Sequence, residues 1–249
     1  MGRYSVPLAP HFAVFTGIEA GMSVLDAGCG PGALTTELAH RVGAERVTAV
    51  DPAEHFVEVC RSRVPGAEVR RAAAEELPFA DGAFDAALAQ LVVSFMRDAE
   101  AGAGELRRVV RPGGLVAACM WAAGEMEMLG VFWDSVAALG DAAPRRADLR
   151  MRFRTREELH ELAERAGLED IRTAKLSVRS EYESFDELWR SLPGAAGPVG
   201  AFYASLAEDG RERLHAECRR RLGDPPGSFA LPAAAWAVSG RTPAGGSTV

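Results

Sequence analysis

Three observations in this 249-residue chain predict an α/β fold built on a doubly wound parallel sheet. Strand-like and helix-like patterns alternate from residue 22 to about 140. Glycines at alternate positions turn the first strand into the first helix. An acidic residue ends each of the first two strands. Such alternation places ligands at the carboxyl ends of the strands. The expected strands are 22–27, 46–51, 67–71, 84–90 and 113–121, and the expected helices are 32–42, 53–62, 98–110 and 126–139. Asp26, Asp51, Ala74 and Gln90 all fall at or just after strand ends, which points to one site. After the polar stretch from Gly140 to Arg150, a helix at 156–166 leads to a strand at 168–178, and Leu231–Val238 reads as the last strand. The tail from Arg241, rich in Gly, Ser, Thr and Pro, reads as disordered.

The first strand–turn–helix unit carries most of the functional information. Val24-Leu25-Asp26-Ala27 ends in a turn, Gly28-Cys29-Gly30-Pro31-Gly32-Ala33, and a helical pattern runs from Leu34 to Val42. Glycines so placed let backbone pass close to a ligand. Gly28, Gly30 and Ala33 satisfy the G-x-G-x-x-G/A fingerprint for a dinucleotide, so an NAD(P)-dependent oxidoreductase is one reading. Asp26 argues against it, because a carboxylate beside a pyrophosphate is repelled in a partly desolvated cleft. Next to the ammonium and sulfonium of S-adenosylmethionine the same carboxylate attracts. Asp51 does not discriminate, since both cofactors offer a ribose diol to an acid at this spacing.

Two later motifs join the first. They are Ala74-Glu75-Glu76-Leu77-Pro78-Phe79-Ala80-Asp81-Gly82-Ala83-Phe84-Asp85 and Leu106-Arg107-Arg108-Val109-Val110-Arg111-Pro112-Gly113-Gly114-Leu115-Val116. With Asp26-Ala27-Gly28-Cys29-Gly30-Pro31-Gly32, in this order and spacing, the chain resembles the class I S-adenosylmethionine-dependent methyltransferases over residues 22 to about 122. The likeness is greatest to the type 11 small-molecule group that includes the ubiquinone/menaquinone C-methyltransferases. The resemblance implies a seven-stranded Rossmann-like sheet of order 3-2-1-4-5-7-6 with the last strand antiparallel. It implies a single methyltransferase domain over 1–249, with a cofactor-covering segment at 1–20 and a cofactor-binding core at 21–140. A helical cap inserted at 180–230 and a tail at 241–249 complete it. Met1-Gly2-Arg3-Tyr4-Ser5 resembles the interior of a longer leader found in some relatives.

On that resemblance, Asp26 orients the methionine ammonium, and backbone at Ala27, Gly28 and Gly30 passes against methionine and ribose. Asp51 and Pro52 face the ribose, Ala74 and Glu75 the adenine, and Gln90 and Leu91 both cofactor and acceptor. Where many relatives carry an acid for the adenine amino group, this sequence has Ala73. Methyl transfer needs alignment and exclusion of water more than a fixed base. No base stands out; His11 and Glu125 are weak candidates. Ser94 stands where some relatives have His or Asn. Acids that would hold magnesium are missing around Gln90, so no metal is expected. If the methyl donor is bound but not used, a non-catalytic cofactor-binding module is the remaining alternative.

Composition narrows the partners. The net charge of −7 disfavours a nucleic-acid acceptor. No apolar run is long enough to span a membrane. Cys29, Cys60, Cys119 and Cys218 form no C-x-x-C pair and read as reduced cysteines of a cytoplasmic protein. The insertion holds Tyr182, Phe185, Trp189, Phe202 and Tyr203. These aromatics either wall a pocket for a small-molecule acceptor, pack the insertion onto the sheet, or form a homodimer surface.

Overall fold

A computed structural model describes residues 2–140, 151–192 and 198–244. It divides into two compact units. The larger comprises residues 5–121, 152–176 and 235–244, and carries the sheet. The smaller comprises the described residues within 2–4, 122–140, 151, 177–192 and 198–234.

The larger unit starts with helix α1 (Gly2–Thr16), most of which belongs to it. The elements β1 (Val24–Ala27), α2 (Ala33–Val42), β2 (Val47–Asp51), α3 (Glu54–Arg63), β3 (Glu68–Arg71), β4 (Phe84–Gln90) and α4 (Ala99–Val109) follow. Strand β5 (Val110–Met126), helix α6 (Arg156–Arg165) and strands β6 (Glu169–Tyr182) and β7 (Phe229–Arg241) complete the sheet layer. The strand order is 3-2-1-4-5-7-6, with β1 to β5 parallel and β5-β7-β6 antiparallel, as the motif resemblance implied. Strands β1 and β2 are buried along their whole length, which suits a parallel sheet covered on both faces. At the edge, β3 buries only Val69 and exposes Glu68, Arg70 and Arg71, charges that discourage pairing with another chain.

Two differences from the sequence expectation stand out. Residues 2–16 form a helix although Pro7 and Pro10 lie inside it. Each proline removes one backbone hydrogen bond. The loss is offset by Leu8, Ala9, Phe12 and Ala13, a stripe at helical spacing that is at most 1% exposed. The tail expected to be disordered from Arg241 instead begins as strand. Thr242 is buried, donating from its backbone N–H to the Gly114 carbonyl at 3.0 Å while its Oγ1 accepts from the Gly114 N–H at 3.1 Å. Residues 245–249 and most of the polar stretch at 140–150 lie outside the described residues.

The smaller unit contains α5 (Glu127–Ala138), α7 (Phe185–Arg190), α8 (Pro198–Ser205) and α9 (Glu208–Arg221). The described residues between β6 and β7 are therefore largely helical, as expected. Its aromatics pack on one another. Tyr182 stacks on Phe229, Phe185 and Trp189 both contact His215, and Phe202 meets Phe132 and Trp133. Tyr182 and Phe185 are buried.

Candidate functional site

The glycine turn after β1 is built by backbone geometry. Gly28, Gly30 and Gly32 adopt φ of 78°, 51° and 89°, a region that side chains disfavour. A Cβ on Gly28 would also run into the Val92 side chain, so the first glycine is needed twice over. The N–H groups of Gly28 and Cys29 both reach the Val50 carbonyl, at 2.7 and 2.9 Å, which draws the turn over the end of β2. Asp51 then takes hold of it. Its Oδ2 accepts from the Gly30 N–H and its Oδ1 from the Ala53 N–H, each at 2.9 Å. Each oxygen has a second lone pair, so the carboxylate can organise the turn and still accept from a diol.

Asp26 is fully buried at the end of β1. Its Oδ2 accepts from the Thr35 hydroxyl at 2.6 Å, while Oδ1 has no partner among the described residues. Burial, opposed by the Thr35 hydrogen bond, raises its pKa to about 7. A cation brought to Oδ1 would supply the missing partner and hold the group ionised. Gln90 shows the same pattern at the end of β4. Its Nε2 donates to the Ser5 carbonyl at 3.1 Å, tying α1 to the sheet, and its buried Oε1 has no partner among the described residues. Leu91, next in line, has φ of 63° and gives its N–H to the Cys119 carbonyl at 2.8 Å. A strained non-glycine residue at a strand end is a common mark of a site.

The remaining expected residues fall as follows. Ala27 is buried in β1, and Pro52 is exposed, its carbonyl accepting from Arg71 Nε at 3.1 Å. Ala74 is buried and Glu75 half-buried. The Glu75 carboxylate is not simply solvated: it accepts from the Arg97 N–H at 2.8 Å and joins the loops after β3 and β4. Ser94 gives its hydroxyl to the Arg152 carbonyl at 2.6 Å. His11 is exposed on α1, and Glu125 is exposed near the end of β5 in the smaller unit. Neither is held in an enclosed site by the geometry of its own unit. Among the described residues no group of three His, Cys, Asp or Glu comes together in a way that could hold a metal. Sequence reasoning missed Thr35, Val92 and Ser5. Thr35 alone left a trace, as a polar residue inside the buried stripe Leu34, Leu38, Val42.

Two buried acceptors without partners, a turn that a Cβ would fill and a two-oxygen acid 21 residues beyond Gly30 fit a cationic nucleoside cofactor. Comparison with known proteins agrees. Residues 25–118 match the methyltransferase domain family, and S-adenosylmethionine is the cofactor of that class.

Among its relatives is a malonyl-[acyl-carrier protein] O-methyltransferase of Serratia marcescens, 37% identical over 116 residues, 47% of this chain and 45% of that one. A demethylmenaquinone methyltransferase of Desulfitobacterium hafniense is 35% identical over 105 residues, 39% of this chain and 42% of that one. This chain thus spans just under half the length of these curated relatives. In fold it is similar to the crystal structure of a protein described as a methyltransferase from Bacillus halodurans, with a TM-score of 0.61 at 17% identity over 94% of this chain and 98% of that one.

Proposed function

We propose that this chain transfers a methyl group from S-adenosylmethionine to a small-molecule acceptor in the cytoplasm, without a metal. The observation that carries the reading is the unpartnered Oδ1 of a fully buried Asp26 beside the glycine turn. When bound, the cofactor supplies a methyl already made electrophilic by its sulfonium. The protein's part is to hold and orient. Asp26 takes the methionine ammonium. Asp51 accepts the ribose hydroxyls through the lone pairs its backbone contacts leave over. Gln90 offers Oε1 as a further acceptor, and Leu77 and Phe79 give the adenine apolar walls. With Ala73 in place of an acid, the adenine amino group is read by backbone in the Ala74–Glu75 loop. Transfer proceeds by alignment and exclusion of water, with no fixed general base.

Acceptor choice, on this reading, belongs to the 180–230 segment, which is far longer than a hairpin between two antiparallel strands requires. The curated relatives named above act on a carrier-bound malonyl group and on a quinone precursor, and an apolar or thioester-linked small acid or ring is the acceptor class to test first. Homodimer formation through this segment is a subsidiary proposal, read by sedimentation.

Calorimetry with S-adenosylhomocysteine and with NAD is the primary test, followed by transfer of labelled methyl from S-adenosylmethionine into cell extract. Binding of S-adenosylhomocysteine alone, with label entering a small-molecule fraction, is the expected result. Binding of NAD and not of S-adenosylhomocysteine would end the methyltransferase reading.

A further inference from the structure

Thr35 is the polar member of the buried face of α2, which otherwise consists of Leu34, Leu38 and Val42. Valine would fill almost the same space without burying a hydroxyl, which is costly unless it is hydrogen-bonded. A helical threonine ordinarily turns its oxygen back on the preceding turn. Thr36 does so, donating to the Gly32 carbonyl at 2.7 Å. Thr35 instead reaches off the helix and donates to Asp26 Oδ2 at 2.6 Å. That length falls in the range of a hydroxyl bonded to an ionised oxygen. The direction of the bond is set from behind. Cys60, on α3, donates its S–H to Thr35 Oγ1 at 3.5 Å, so the single hydroxyl hydrogen is left for the acid. Thr35 and Asp26 are both fully buried, so water does not compete for either.

The two oxygens of Asp26 therefore differ: Oδ2 is engaged, and Oδ1 has no partner among the described residues. We propose that Thr35 is a positioning residue for the methyl donor: by engaging Oδ2 it holds the carboxylate fixed and charged, and leaves Oδ1 to the donor's ammonium. This rests on the assignment of Asp26 to that ammonium. The surroundings make such help necessary. Burial pushes the Asp26 carboxyl up, Thr35 draws it back down, and Cys60 and Asp51 push it up further. The other titratable groups near the acid are the thiols of Cys29 in the turn and Cys119 on β5. None of these is a cation. Thr35 is the residue that favours the charged form before the cofactor arrives.

The test is calorimetry with S-adenosylhomocysteine on the full-length parent, Thr35→Val and Thr35→Ser between about pH 5.5 and 8.5. Removing a hydrogen bond to the ionised form raises an acid's pKa, so Thr35→Val should move the onset of weakened binding upward by about one pH unit. Its dissociation constant should exceed the parent's by about tenfold near pH 6, and by less than about threefold near pH 8.5. Thr35→Ser keeps the donor and should restore the parent's profile. In an Asp26→Asn background, Thr35→Val should change the constant by less than about twofold, because its effect passes through the acid. Cys60→Ala should keep the pH dependence, which separates the acid from the neighbouring thiol. If Thr35→Val does not fold, Thr35→Cys, a weaker donor, takes its place and should show a smaller shift in the same direction. The proposal is overturned by a Thr35→Val protein with the parent's profile, or by one weakened equally at every pH, as a purely structural role would have it. A serine variant that behaves like valine, or a pH dependence lost with Cys60, overturns it too. A parent that binds no S-adenosylhomocysteine at any pH fails earlier; the cofactor reading falls there, and this proposal with it.

Discussion

An enclosed carboxyl with a partner for only one oxygen holds its proton more tightly than one in water, and Asp26 should show this in two opposite ways. An ordinary aspartate titrates near 3.9, whereas burial raises Asp26 to about 7 in the folded chain. The folded state therefore keeps a proton that the unfolded chain releases. The stability this confers is fully present below the ordinary value and is lost as pH rises through about 7. Denaturant unfolding of the cofactor-free protein should fall in stability from pH 4 to 7, and Asp26→Asn should remove that component of the slope. Cofactor binding runs the other way, because a cation needs the carboxylate. The S-adenosylhomocysteine dissociation constant should climb as pH drops below about 7, approaching about tenfold per unit. Asp26→Asn should bind more weakly and lose this dependence; a variant with the parent's profile would assign the titration elsewhere. Asp51 lends itself to a simpler test. Asp51→Ala should weaken binding by about 1–3 kcal/mol, the usual cost of lost charged hydrogen bonds. An unchanged constant would reduce Asp51 to a brace for Gly30 and Ala53.

The turn and the first helix show what single elements require. Gly28→Ala meets both a φ of 78° and the Val92 side chain, so it should abolish or severely weaken cofactor binding. Adding Val92→Ala relieves the collision but not the backbone strain, so partial recovery is expected, a coupling that calorimetry on the four proteins of the cycle would read. Equal binding by the single and double variants would mean that the dihedral alone decides. This turn was legible in the sequence because its glycines are enforced by local backbone geometry. Helix α1 was not, because its two prolines oppose helix locally and its stability comes from a stripe whose burial only the folded chain reveals. Phe12, fully buried, tests that account: Phe12→Ala should cost about 3–5 kcal/mol in denaturant unfolding, and a cost under about 1 would show that α1 is held by something else.

At the scale of the molecule, the strand-end acids could be read from alternation and motif spacing, which are properties of neighbouring residues, whereas the sheet order came only with the family resemblance. The partners of Asp26, Gln90 and Glu75 could not, because Thr35, Ser5 and Arg97 reach them only through the fold. The contacts of the insertion's aromatics with one another and with Phe132, Trp133, His215 and Phe229 were hidden for the same reason. Whether the assembled site does what its parts suggest is measurable without knowing the acceptor. A ligand that binds only the folded state stabilises it by RT ln(1 + [L]/Kd), about 2.7 kcal/mol at a hundredfold excess over the dissociation constant. For a chain of this length each kcal/mol moves the midpoint of melting by about 2–4 °C. S-Adenosylhomocysteine at that excess should therefore raise the melting temperature by about 5–11 °C, and NAD at the same concentration should leave it unmoved. Excess chelator should not reduce the shift, and added magnesium should not increase it, since the polar contacts assigned to the cofactor are all oxygens and backbone of this chain. Asp51→Ala should shrink the shift at fixed ligand concentration in proportion to its loss of affinity. A shift that needs magnesium, or one produced equally by NAD, would contradict the assignment of Asp26 and the glycine turn to a cationic, metal-independent methyl donor.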